Sequence, residues 1–138
     1  MKHWFLDTNV LVDFLTNRQP FATAAAELFE LGRQQRVTLY AASLSFATVY
    51  YLVQQTRPHE QTLALIAQLE ALVEVVAVDG TVIRAAISSE FRDFEDGLQY
   101  FAATSIPLVE AIVTRNPKDF RAGTLPVYSP VEASDILR

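Results

Sequence analysis

His3-Trp4-Phe5-Leu6-Asp7-Thr8-Asn9-Val10-Leu11-Val12 is the stretch that decides the fold. The apolar run from His3 to Leu6 stops abruptly at an acid, as a buried strand does where it leaves a sheet. Asp7, Thr8 and Asn9 are all helix-capping types, and Val10, Leu11, Val12, Phe14 and Leu15 give the next segment an apolar side. A strand running straight into a helix is the opening unit of an α/β sheet.

Downstream, the same alternation recurs. Pro20 opens a helix predicted over Phe21 to Gln35, with Ala24, Leu28 and Leu31 at helical spacing. Val37 to Ala41 reads as a second strand. Ser43 is placed to cap a helix through Gln55 whose apolar side is Leu44, Ala47, Tyr50 and Tyr51. After Pro58 a further helix is predicted from Glu60 to Leu72. Val73 to Val78 is rich in valine and reads as a third strand. A short helix over Thr81 to Ser89, a linker Phe91 to Asp96 and a helix Gly97 to Thr104 lead to a fourth strand, Val109 to Thr114. Val127-Tyr128 makes a short fifth strand, and Ser129-Pro130 opens a terminal helix to Leu137. Strands alternating with helices predict a parallel sheet covered on both faces, with right-handed crossovers. Residues 1–138 are expected to form one domain.

Half of the residues are apolar (51%) and a fifth charged, a globular balance. The absence of cysteine excludes disulfides, thiolate metal sites and a cysteine nucleophile. The apolar runs are too short and interrupted to span a bilayer. The N-terminus lacks a signal-peptide pattern, so a cytoplasmic protein is expected. A net charge of −5 is unusual for a protein that touches nucleic acid, where a basic field is the rule. Either the acids are dispersed over the surface, or some cluster to bind cations that cancel their charge.

In open α/β sheets, ligands bind beyond the carboxyl ends of the strands. Asp7 follows strand one, Asn116 and Asp119 follow strand four, and Glu95-Asp96 lead into the helix before strand four. Carboxylate oxygens are the ligands that magnesium and manganese prefer. Such ions activate water and neutralise a transferring phosphoryl group, which hydrolysis of an anionic phosphodiester requires. Each acid also has a plainer reading. Asp7 could cap the following helix for about 1 kcal/mol. Glu95 and Asp96 suit a first helical turn, and Asn116-Pro117-Lys118-Asp119 has the composition of a type I turn. Arg115, Lys118 and Arg121 could contact phosphate, although solvated loop charges are the commoner explanation. Co-location of the acids on one sheet edge favours the metal reading over the separate ones.

Three of these segments carry a family resemblance. Phe5-Leu6-Asp7-Thr8-Asn9-Val10-Leu11 resembles the opening strand and turn of PIN domains. Asp93-Phe94-Glu95-Asp96-Gly97-Leu98-Gln99-Tyr100 resembles their second acidic segment, and Ile112-Val113-Thr114-Arg115-Asn116-Pro117-Lys118-Asp119-Phe120 their last. Order, spacing and surrounding elements match across essentially the whole chain. The resemblance implies a three-layer α/β/α sandwich with a parallel sheet of four or five strands in the order 3-2-1-4-5. It implies a Mg2+- or Mn2+-dependent ribonuclease, VapC-like, of the kind that often serves as the toxin of a toxin–antitoxin pair. An antitoxin protein, RNA and a second copy of the chain are then the expected partners. By the same resemblance Asp7, Asp96 and Asp119 are the metal ligands and catalytic residues, with Asn9, Glu95 and Asn116 in support.

One position departs from the pattern. PIN nucleases usually carry a glutamate in the helix after strand two. In Ser43-Leu44-Ser45-Phe46-Ala47-Thr48-Val49-Tyr50-Tyr51, Thr48 stands in its place. A hydroxyl can orient a water but is a far weaker cation ligand than a carboxylate. Glu95, beside Asp96, is the residue that would compensate. A PIN module that binds RNA or protein without cutting is therefore the alternative. Two other acidic α/β classes fit less well. A phospho-accepting receiver wants an acidic pair after strand one and a lysine ending strand five. A dehalogenase-like phosphatase wants a second aspartate where Asn9 stands.

Overall fold

β1 (Lys2–Leu6) is the central strand of a five-stranded parallel sheet in a computed structural model that describes residues 1–138. The strand order is β3-β2-β1-β4-β5, with β2 at Val37–Ala42, β3 at Glu74–Val76, β4 at Ala111–Val113 and β5 at Val127–Tyr128. Trp4 stands opposite Leu39 on one side of β1 and Ala111 on the other. Successive strand residues point to opposite faces, and β1 divides accordingly. Trp4 and Leu6 enter a core with α1 (Thr8–Leu15), α2 (Phe21–Arg33), α3 (Ser43–Val53), α4 (His59–Leu72) and α7 (Pro130–Leu137). Phe5 enters a second core with α5 (Gly80–Ile87) and α6 (Phe94–Thr104). The result is the expected three-layer α/β/α sandwich.

The details differ in instructive places. α2 stops at Arg33 rather than Gln35, because Gln35 takes a left-handed conformation (φ 61°) that ends a helix. α3 begins at Ser43 but is not capped by it; the Ser43 hydroxyl accepts from the backbone N–H of Val78 across the sheet edge, at 3.1 Å. Its buried side is Ser45, Val49 and Val53, while Ala47 and Tyr51 are exposed. α3 is apolar on nearly every side, so packing, not periodicity, selects the buried face. β3 and β4 are shorter than predicted. Val73 is extended but ends α4, and Glu110 turns to the surface, 4.0 Å from the Lys2 ammonium.

Two further differences bear on function. α6 begins at Phe94, three residues before Gly97, because the Asp93 carboxylate accepts from the backbone N–H of Asp96 at 3.0 Å and caps the helix there. The turn after β4 is a 3-10 helix, Pro117–Phe120, which drives Phe120 into the second core. No helix is long and apolar enough to cross a membrane.

Candidate active site

β1 feeds β2 on one side through α1 and α2, and lies against β4 on the other. The crevice beyond their carboxyl ends is where such sheets place ligands. Asp7 is the first residue past β1, and its backbone N–H donates to the carbonyl of Val113, at 2.9 Å. It occupies the N-cap position of α1, yet its side chain caps nothing. Instead Oδ1 accepts from the Gln99 amide at 2.9 Å and Oδ2 from the Thr114 hydroxyl at 2.7 Å. The cap is supplied from α6: Gln99 Oε1 accepts from the backbone N–H of Thr8 at 3.0 Å. The Thr8 hydroxyl lies 2.7 Å from that of Ser45, tying α3 to the same corner. Asp7 is thus buried and oriented at both oxygens.

Asp7, Asp93, Glu95, Asp96 and Asp119 line one open cleft of about 340 Å³. So many acids in one place disfavour full ionisation. Burial first, and then the charges of Asp7, Asp93, Asp119 and Glu95, push the Asp96 carboxyl up to about 7. Burial, then Asp93 and Asp7, raise Glu95. Burial also raises Asp7, against the opposing hydrogen bonds from Thr114 and Gln99. Asp96 therefore exchanges its proton near neutral pH.

The cleft gathers most of the residues expected from the sequence. Asp7, Asn9, Glu95, Asp96 and Asp119 all line it. Asn9 spans its floor, donating to the Thr114 hydroxyl at 3.5 Å and accepting from the Arg115 backbone N–H at 3.4 Å. Asn116 is not among the lining residues. Its side chain is exposed, and only its backbone N–H reaches inward, to the Thr114 hydroxyl at 3.1 Å. Thr48 is half-buried on α3 and does not line the cleft either; Leu52, one turn further on, is the only residue of α3 that does.

The sequence profile of the PIN domain matches residues 3–118. The chain belongs to the PIN domain family. Solved structures agree on the fold. VapBC2 from Rickettsia felis, bound to a DNA fragment from its promoter, superposes with a TM-score of 0.67 at 19% identity, covering 92% of this chain and 98% of that one. FitAB bound to an IR36 DNA fragment gives 0.67 at 17% identity, over 92% and 94%. VapC20 of Mycobacterium tuberculosis, a toxin that cleaves the sarcin-ricin loop, gives 0.59 at 16% identity, over 79% and 86%. No curated protein sequence gives a significant match.

In this PIN domain the donor chemistry suits a hard divalent cation, since every acid in the cleft is a carboxylate. No three of the acidic or imidazole side chains stand close enough to hold an ion together. A magnesium-like ion that keeps several waters and takes one or two carboxylates fits that spread. Sequence reading missed the residues that set the carboxylates in place: Gln99, Thr114 and the cap Asp93. Gln99, in the middle of α6, and Thr114, just past β4, are polar residues among apolar ones, a pattern that many solvent-facing residues share. Asp93 had a legible signal, an acid three residues before the helical Asp96. Arg115 is not a solvated loop charge, because it forms a two-point ion pair with the buried Asp13.

Proposed function

We propose that this PIN domain is a divalent-metal-dependent endoribonuclease of the toxin kind, and that residues 1–138 form one domain. The observation that carries the proposal is the convergence of Asp7, Asp96 and Asp119 on one cleft, where burial first and then the neighbouring acids raise Asp96 to about 7. Family membership supports nuclease chemistry, and the sarcin-ricin loop cleaving neighbour supports RNA as the substrate. Asp7 and Asp96 would hold the principal Mg2+ or Mn2+, with Asp119 nearby or on a second, weaker position. When bound, the ion supplies Lewis acidity that activates water and neutralises charge on the phosphoryl group. Gln99 and Thr114 hydrogen-bond both oxygens of Asp7, opposing the upward push of burial and fixing its orientation at the cleft, and Glu95 would add the charge that α3 does not supply. The VapBC2 and FitAB likenesses support an antitoxin protein as partner; a homodimer is the proposed assembly and the cytoplasm the proposed compartment.

One observation favours a second reading. α3 brings no carboxylate to the cleft, only Leu52, as in a PIN module that binds RNA or protein without cutting. Calorimetric manganese titration of the wild type and Asp96→Asn, followed by RNA cleavage at saturating metal, separates the two. Binding that the substitution abolishes, with metal-dependent cleavage by the wild type, supports the nuclease. Binding without cleavage supports the non-cutting module. A wild type that binds no metal removes the nuclease reading and the metal roles of Asp7, Asp96 and Asp119.

A further inference from the structure

Arg115 is held differently from the other cations near the cleft. Its Nε donates to Asp13 Oδ2 at 2.9 Å and its Nη2 to Oδ1 at 3.3 Å, the two-point fork of a guanidinium on a carboxylate. Asp13 is 2% exposed. The guanidinium carbon lies 4.4 Å from the centre of the Phe21 ring, within stacking and cation–π range. Its backbone N–H is bonded to Asn9, which also touches Thr114 and through it Asp7. Arg18, Lys118 and Arg121 are exposed.

Arg115 nonetheless keeps 23% of its side-chain surface and lines the cleft beside Asp7 and Asp96. Of its five N–H donors, the fork to Asp13 uses two, and Nη1 donates to no group of the protein. Stability alone does not account for this arrangement, because a buried ion pair replaced by apolar residues is often as stable or more so. A cleft that is acidic apart from Arg115 and the exposed Arg18 has, on receiving a polyanion, a need the pair does answer. It requires a cation that is already oriented, so that binding costs little side-chain entropy.

We propose that Arg115 is a phosphate-binding residue of the cleft, held in position by Asp13 and Phe21, with Nη1 as the donor to a non-bridging oxygen of a bound RNA strand. The proposal rests on the RNA reading of the cleft but not on cleavage. Its test is therefore binding of a fluorescent single-stranded RNA oligonucleotide in the Asp96→Asn background, by anisotropy over a range of salt. Arg115→Ala and Arg115→Lys are each compared with the parent after their circular dichroism is matched to it. The expected result for Arg115→Ala is roughly tenfold weaker binding. The salt dependence should also lose about 0.7 from its log–log slope, the share of one phosphate contact on a single strand. Arg115→Lys keeps the charge but not the fork, so it should restore the slope and only part of the affinity. Unchanged affinity in Arg115→Ala overturns the proposal. So does weakened binding with an unchanged slope, which is what a merely structural ion pair gives, and so does an absence of RNA binding by the parent. If Arg115→Ala does not fold, Arg115→Lys decides: parental affinity and slope together overturn the proposal. Wild-type cleavage is measured separately, so failure of the nuclease reading leaves the Arg115 result standing.

Discussion

Gln99 holds Asp7 from ninety-two residues away, donating to its Oδ1 at 2.9 Å while its own carbonyl oxygen caps the helix that Asp7 precedes. One side chain on α6 thus performs the task that the Asp7 carboxylate would otherwise perform, and frees that carboxylate for the cleft. Gln99→Leu keeps the volume but leaves the buried Thr8 N–H without a partner. The expected loss of stability is about 2 kcal/mol by urea denaturation. Manganese affinity should fall by about tenfold or more, the usual effect of losing a group that orients a ligand. Unaltered metal affinity in the folded variant would confine Gln99 to helix capping.

Asp7→Asn should abolish cleavage and leave the fold intact. The carboxamide oxygen can keep the bond from Gln99, and its NH2 can donate to the Thr114 hydroxyl in place of the long 3.5 Å bond from Asn9. A change in stability of no more than about 1 kcal/mol is expected. Cleavage by a folded Asp7→Asn protein would take Asp7 out of the reaction.

Asp96 links the cleft to pH. Its carboxyl has an ordinary value of 3.8 and stands at about 7 in the folded chain, so between those limits the native state binds more protons than the unfolded state. Stability from this group is complete below about pH 4 and is lost as pH rises through about 7. The metal-free protein should therefore melt at a lower temperature at pH 8 than at pH 6, and saturating manganese should reverse the difference. In Asp96→Asn the pH 6 to pH 8 difference should shrink, which scanning calorimetry can check. On the proposed ligand role of Asp96, protons and cations compete for its carboxylate, and manganese affinity should rise over this interval.

Thr48→Glu tests whether the α3 position limits the site. Thr48 sits one turn before Leu52 on α3, and a longer acidic side chain there can extend toward the cleft. The substitution should tighten manganese binding and lower the melting temperature of the metal-free protein, since it adds a charge to an acidic cluster. Manganese affinity equal to that of the wild type would place Thr48 outside the metal site altogether.

How far the sequence was legible follows from which forces are local. β1 and Asp7 were readable because a buried strand ending in an acid is a contrast between neighbours. The sheet order came from the family resemblance, and the fold bears it out; Asp7, Asp96 and Asp119 stood out by their places at strand and helix ends, and they line one cleft. The start of α6 was misplaced by the pull of Gly97 as a boundary, although Asp93 three residues before Asp96 carried the true capping signal. The buried face of α3 was misassigned because Leu44, Phe46, Val49, Tyr50 and Leu52 leave no polar stripe to fix its rotation. Gln99, Thr114 and the Asp13–Arg115 pair were illegible for another reason. What distinguishes them is burial against partners about a hundred residues away, and that is a property of the fold rather than of any window of sequence.

The central position of β1 between β2 and β4 has a consequence for biosynthesis. A ribosome that has polymerised one hundred residues has made Asp7, Gln99 and Asp96, yet β1 still lacks the neighbour on its other side, and Thr114 and Asp119 do not exist. The cleft can close only when the last fifth of the chain has emerged. A polypeptide interrupted before Asp119 lacks part of the cleft, so the acids are brought together only late in synthesis.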